Sequence, residues 1–120
     1  MIALALMLAQ VPAPPIPGLK FTTLGVGSDT CASWMAHRSE TDPMRATYKT
    51  WLLGFLTGAN TEYSRYGHQD PILGTNQDED ALVAFVDHLC ADNPDLEVRD
   101  AAHALWMDLG DRAVSVRPPL

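Results

Sequence analysis

The sequence has few basic residues, and this shortage limits the partners that it can bind. It contains 8 Lys or Arg against 15 Asp or Glu, which gives a formal net charge of −7. Nucleic acid binding depends on a cationic face that displaces counterions, and anionic membranes likewise attract basic segments. The charge therefore argues against both of these partners, whereas it is compatible with a basic protein partner.

Long apolar runs are also missing. A membrane-spanning helix needs about 20 consecutive apolar residues. The uncharged stretch that contains WLLGFLTGAN is only 12 residues long, because Lys49 and Glu62 bound it. Its apolar residues fall on one side of a helix, as in an amphipathic helix of a folded domain. The sequence therefore predicts that the chain is not an integral membrane protein.

The apolar run at residues 2–9 is shorter still, and it has the length of the apolar region of a secretory signal peptide. No Lys or Arg precedes Lys20. We therefore interpret residues 1–18 as part of a signal peptide followed by a proline-rich tether, VPAPPIPG. This interpretation predicts a periplasmic or secreted protein. An apolar tail on a cytosolic protein is the alternative.

Cysteine is scarce, since Cys31 and Cys90 are the only two in the chain. An even count behind an export signal favours a disulfide. Closing a loop of about 60 residues would stabilise the fold by roughly 4 kcal/mol in the chain-entropy model. Two buried free thiols in a cytosolic protein are the alternative, so the two interpretations depend on the signal peptide.

Apolar residues at helical spacing predict four helices, and no segment shows the alternation typical of a strand. The helices are expected at about residues 29–38, 43–61, 77–91 and 94–109. Asp42 is a good N-cap for the second helix, and Pro43 suits the first helical position.

The predicted fold is therefore all-α: a compact bundle of four main helices with one disulfide. The helical domain is expected to span residues 19–110 and to end where Gly110 stops the last helix. Residues 111–120 are then a C-terminal tail. Met44 and Phe55 of the second helix and Trp106 of the fourth are expected to face the core.

Two glycines in WLLGFLTGAN need a structural cause. Gly54 and Gly58 lie along one edge of the apolar side of the second helix, and each costs about 1 kcal/mol relative to Ala in a helix interior. They predict an edge where another backbone approaches closely. The neighbour is either a helix of the same chain or a second copy, which would make the protein a homodimer.

No residue pattern indicates catalysis, a cofactor or a metal. The four histidines lack the four-residue helical spacing of a zinc-binding pair, and His103 is expected on the polar side of the last helix. The acidic stretches NQDED and DNPDLE lack the glycine and distal glutamate of a calcium-binding loop. We therefore predict no catalytic, cofactor-binding or metal-ligating residues, and a protein that is not an enzyme.

The order of features resembles that of a known group of proteins. A helix beginning near Cys31 is followed by WLLGFLTGAN, then by Asp70, by FVDHLC ending at Cys90, and by an alanine-rich helix. Over about residues 31–109 this arrangement resembles the small exported HdeA/HdeB-like helical proteins. It is more similar still to the Rap/Tai immunity domain of type VI secretion, although Phe85 and Leu89 stand where that domain usually has Trp and Tyr.

The resemblance implies a function. Proteins of the Rap/Tai type are periplasmic, non-catalytic and dimeric, and they occlude the active site of a peptidoglycan amidase effector, often with an exposed loop. Here the corresponding loop predicts Tyr66, His68, Gln69 and Asp70 as partner contacts.

An acid-activated periplasmic chaperone of the HdeA kind is the alternative function. At pH 2 to 3 the carboxylates approach neutrality, since their reference pKa values are near 4. The 8 Lys or Arg and 4 His would then give about +12 of side-chain charge. Self-repulsion of that size could loosen a dimer and expose apolar faces.

Overall fold

The computed structural model describes residues 21–66 and 78–116, with side chains described as far as Arg112. Within those residues the chain forms four α-helices after a short 3₁₀ turn at Gly25–Ser28, and it contains no strand beyond an isolated bridge between Thr30 and Glu97. The helices are α1 (Cys31–Ala36), α2 (Pro43–Arg65), α3 (Glu79–Asp92) and α4 (Val98–Val116). The predicted all-α fold of four main helices is confirmed.

The starts of the helices are set by side chains that accept backbone hydrogen bonds. Asp42 accepts from the Met44 N–H at 2.8 Å and precedes Pro43, as predicted. Asp78 accepts from the Ala81 N–H at 2.7 Å and begins α3. Each cap satisfies an N–H group that the first turn of a helix leaves without an intrahelical acceptor.

The predicted disulfide is confirmed. Cys31 opens α1, Cys90 lies near the end of α3, and both are 0% exposed. The bridge is supported by the backbone, because the Cys31 N–H donates to the Leu96 carbonyl at 2.6 Å and the Val98 N–H donates to the Asp29 carbonyl at 2.8 Å. These contacts attach the start of α1 to the segment that leads into α4.

One apolar core lies between the four helices. α1 packs on α3 and α4, and both α2 and α3 pack on α4. Successive turns of each helix contribute buried side chains three or four residues apart, as the 3.6-residue period requires. The core consists of Cys31, Trp34, Tyr48, Leu52, Leu56, Leu82, Val83, Val86, Cys90, Val98, Ala101, Ala102, Leu105 and Leu109.

A polar cluster links three of the helices at the edge of this core. The Trp34 Nε1–H donates to Asp87 Oδ1 at 2.6 Å. The guanidinium of Arg45, which is 5% exposed, lies over the Trp34 ring at 5.4 Å and donates to both carboxylate oxygens of Asp87. A buried cation is tolerated where it is paired and hydrogen-bonded in this way.

The segment before α1 packs closely on α2. The Trp51 Nε1–H donates to the Leu24 carbonyl at 2.7 Å, and its indole ring lies against the backbone of Gly27. A Cβ atom on Gly27 would overlap that ring. Gly25 has φ +75°, a left-handed conformation that favours glycine.

Three of the predicted helix boundaries are wrong. α4 begins at Val98, one turn after its predicted start near residue 94. α2 continues to Arg65, one turn beyond its predicted end. Gly110 does not stop the last helix: α4 runs on to Val116, so the predicted tail at 111–120 is wrong for residues 111–116. Residues 1–18, interpreted as signal peptide and tether, lie outside the described residues.

Candidate functional site

The predicted partner-contact loop begins at an exposed tyrosine. Tyr66 follows the last residue of α2 and is 73% exposed. The other predicted contacts, His68, Gln69 and Asp70, lie outside the described residues. Tyr66 is therefore the one predicted contact whose position the structure gives, and the role of the loop stays a prediction.

The glycine edge of α2 faces away from the core. Gly54 and Gly58 are exposed, and no side chain or packed backbone of the described residues lies within 4 Å of the position that a Cβ atom would take at either. The prediction that a helix of the same chain packs closely on these glycines is therefore wrong for the described residues. The alternative, a second copy of the chain, stays a prediction.

A groove lined by aromatic side chains runs between α2 and α4 on the surface of the bundle. Its volume is about 330 Å³. The residues from α2 recur every three or four positions, which places them on one stripe of the helix, and those from α4 are three apart. The lining residues are Phe55, Ala59, Glu62, Tyr63, Tyr66, His103 and Trp106.

The rings of this groove meet at steep angles rather than in a flat stack. Tyr63 and Trp106 lie edge to face, with centroids 5.8 Å apart and planes at 74°. His103 lies 6.2 Å from Trp106 at 83° and 6.5 Å from Phe55 at 54°. Such arrangements are favourable for aromatic pairs. In these arrangements the aromatic rings form the walls of an open groove.

The central indole is fixed by a hydrogen bond. Trp106 Nε1–H donates to Asn60 Oδ1 on α2 at 3.0 Å. The hydrogen bond satisfies the polar end of the ring, and the apolar part is left for contact. Trp106 is therefore held in one orientation in the free protein.

His103 occupies a half-buried position inside the groove rather than the polar surface predicted for it. Burial lowers the pKa of the His103 imidazole, and the nearby Asp100 carboxylate opposes this by a smaller amount. The ring is accordingly neutral at neutral pH. It contributes another aromatic wall without adding positive charge.

The described residues do not combine into a metal site. No group of three or more His, Cys, Asp or Glu side chains in that part of the chain could hold a metal ion. Nor does any helix of residues 21–66 and 78–116 have the length and apolar character needed to cross a membrane. The groove can make apolar, ring-stacking and cation–π contacts with a ligand.

The sequence pattern predicts Phe55 and Trp106 in the core, whereas the structure shows both half-buried and lining the groove. The signal that could have revealed the groove is the continuation of the Phe55 stripe through Tyr63 to Tyr66. A second helix that ends near residue 61, as the sequence predicts, stops before that stripe is complete.

No protein-family model, curated protein or solved structure matches this chain. The resemblance to the Rap/Tai and HdeA/HdeB-like proteins therefore stays a hypothesis that rests on the residues that carry it. The function has to be inferred from the geometry of the groove.

Proposed function

We propose that this chain is a non-catalytic binding protein of the periplasm, of the immunity type, which occludes the active site of a peptidoglycan amidase. The observation that carries the proposal is the open aromatic groove that ends at the exposed Tyr66. Tyr and Trp are enriched at protein interfaces, where they supply large contact areas and dominate the binding energy. The groove and the loop after Tyr66 form the proposed contact surface.

The chemistry of the lining supports binding rather than catalysis. Its titratable side chains are Glu62, Tyr63, Tyr66 and His103, and no serine or cysteine nucleophile accompanies them among the described lining residues. The orientation of Trp106 is set before a partner arrives, which reduces the entropy lost on binding. A pre-ordered aromatic surface suits inhibition by occlusion.

The compartment assigned in this proposal is supported by the disulfide. A bond between Cys31 and Cys90 is compatible with an oxidising compartment, because cytosolic thiols are kept reduced in most organisms. Together with the signal-like apolar run at residues 2–9, it favours the periplasm.

The proposal predicts a small Cys/His amidase encoded beside the gene for this protein, and that enzyme, once purified, is used for the test. Hydrolysis of purified peptidoglycan is measured with increasing amounts of the parent chain, of Tyr66→Ala and of Trp106→Ala. The parent should inhibit at a stoichiometric ratio, and Trp106→Ala should weaken inhibition by about tenfold or more, since a central aromatic anchor commonly contributes about 2 kcal/mol.

Met107→Ala is the matched control, because Met107 is an exposed apolar residue beside Trp106 that does not line the groove. It should inhibit like the parent. Tyr66 is exposed, so its replacement leaves folding intact and keeps the test valid if Trp106→Ala is unstable. Full amidase activity in the presence of excess parent chain would contradict the proposed function.

An acid-activated chaperone is the second candidate, favoured by the number of helix contacts that depend on carboxylates. Asp87 joins Trp34 to Arg45. Asp42 caps α2 and contacts His37, and the Met44 N–H and the His37 ring hold the pKa of the Asp42 carboxyl below its usual range. Protonation at pH 2 to 3 would weaken these contacts.

The chaperone candidate is measured by client aggregation at pH 2 to 3 with and without the protein. Suppression at that pH, and none at neutral pH, would support it. Client aggregation that is unchanged at low pH would remove this candidate.

A further inference from the structure

The groove has the geometry of a partial aromatic box. Tyr63 and His103 each meet Trp106 at a steep angle, 74° and 83°, and Phe55 lies 6.5 Å from His103; all four rings line the groove. The face of an aromatic ring is the negative part of its quadrupole, and it attracts a cation that lies within about 6 Å of the ring centroid. Because the rings are set at steep angles, one ligand can contact more than one of them.

The groove carries negative charge, which a cationic ligand requires. Glu62 lines the groove, and its carboxylate is more than half exposed, so it is available at the rim. Its ion pair with Arg65 is long, at 3.9 Å, and lies on the surface, where such pairs are weak. His103 adds no positive charge, because burial keeps the ring neutral at neutral pH.

We infer that this groove is a binding site for a cationic side chain, an arginine or lysine that the protein partner inserts between the aromatic walls beside Glu62. Arginine suits the site because its planar guanidinium stacks on aromatic rings and pairs with carboxylates. A basic group is also what the net charge of −7 attracts over longer range. The inference rests on the proposed function only for the statement that the cation belongs to a protein partner.

The test uses the full chain labelled with ¹⁵N and follows the indole N–H signals of Trp34, Trp51 and Trp106. N-acetyl-arginine amide is titrated up to about 100 mM, because a lone side chain binds weakly. N-acetyl-citrulline amide, which has nearly the same shape without the charge, is titrated in parallel. The Trp106 signal should move and saturate with the arginine compound, and it should move far less with citrulline. The signal of the buried Trp34 should stay in place.

Glu62→Gln removes the rim charge at constant size, and it should weaken arginine binding by about threefold, as expected for a partly exposed ion pair. Glu79→Gln is the matched control, because Glu79 is an exposed acid at the start of α3, outside the groove. It should bind like the parent.

A groove that binds citrulline as tightly as arginine, or a Trp106 signal that does not move with either compound, would overturn the inference. These outcomes are separate from those of the amidase assay. Arginine binding without amidase inhibition would leave the cation site in place and remove the proposed function. Amidase inhibition without arginine binding would support the proposed function and remove the cation site.

Discussion

Arg45 on α2 donates two hydrogen bonds to Asp87 on α3, at 3.3 and 3.1 Å, although the two residues lie 42 positions apart in the chain. Asp87 also accepts the Trp34 indole hydrogen bond from α1. One carboxylate thus holds three helices around a buried guanidinium, and the disulfide links two of the same helices.

Asp87→Asn should lower the free energy of unfolding by about 2 kcal/mol, because the buried Arg45 guanidinium is then left with only the exposed Glu40 carboxylate, 3.7 Å from its Nε, as a counter-charge. Urea unfolding followed by circular dichroism measures the change. Asp95→Asn alters an exposed acid in the loop before α4 and should stay within about 0.5 kcal/mol of the parent. Equal stability of the two variants would show that the Arg45–Asp87 pair does not stabilise the fold.

Gly27→Ala should destabilise the protein, because the new methyl group overlaps the Trp51 ring. Overpacking of this kind costs about 1 to 3 kcal/mol. Gly110→Ala is the matched control: Gly110 lies inside α4 with no packed atom of the described residues within 4 Å. It should gain up to about 1 kcal/mol in helix propensity. Thermal melts that fail to separate the two variants would refute the packing of Trp51 on Gly27.

Gly58→Leu tests the exposed glycine edge. Gly58 is exposed and the described residues leave space for a Cβ atom there, so the variant should gain about 0.8 kcal/mol of stability within one chain, since Leu is the better helix former. Light scattering on the same samples reports association. A parent dimer that becomes a monomer in the variant would place a second copy on this edge. A lower melting temperature without any change in mass would contradict the open space beside Gly58.

His103 gives stability a specific dependence on pH. Burial lowers its pKa in the folded state, while the unfolded state has the usual value of about 6.5. As pH falls below that value, the unfolded chain gains a proton that the folded chain does not, so stability decreases until the folded pKa is reached. The Asp100 carboxylate opposes the decrease by a smaller amount, and Glu62 is a second acid that lines the same groove.

The comparison is made between the parent and His103→Gln, with unfolding free energies measured at about pH 8 and about pH 5.5, on either side of the reference pKa. The other three histidines are present in both proteins, so the comparison isolates the effect of His103. The parent should therefore lose more stability than the variant over this range. An equal loss would mean that His103 is not held neutral by the fold.

Much of the fold could be predicted from the sequence, because it depends on local patterns. Helical spacing indicates four helices, and the Asp42–Pro43 pair marks the start of α2. In α4 the apolar residues at helical spacing are buried, and Trp106 is the exception. The buried residues are Val98, Ala101, Ala102, Leu105 and Leu109. Even the disulfide follows from counting two cysteines behind an apolar amino terminus.

The remainder depends on contacts between distant residues. The helical pattern predicts Met44 inside, but it is exposed while its neighbour Arg45 is buried. Arg45 can be buried only because Asp87 and the face of Trp34 receive its charge, and no local pattern reveals those partners. The groove escapes prediction for a similar reason, because it needs the last turn of α2 and its packing on α4.

The sharpest test of the groove as the partner-binding surface is hydrogen exchange with mass spectrometry on this chain, alone and mixed with a peptidoglycan amidase that it inhibits. We expect binding to slow exchange in the second half of α2, residues 55–66, and at the start of α4, residues 98–106, where the groove lies. Exchange in α1 and in the middle of α3 should be unaffected. Protection confined to α1 and α3, or no protection anywhere, would contradict the assignment of the aromatic groove as the partner-binding surface.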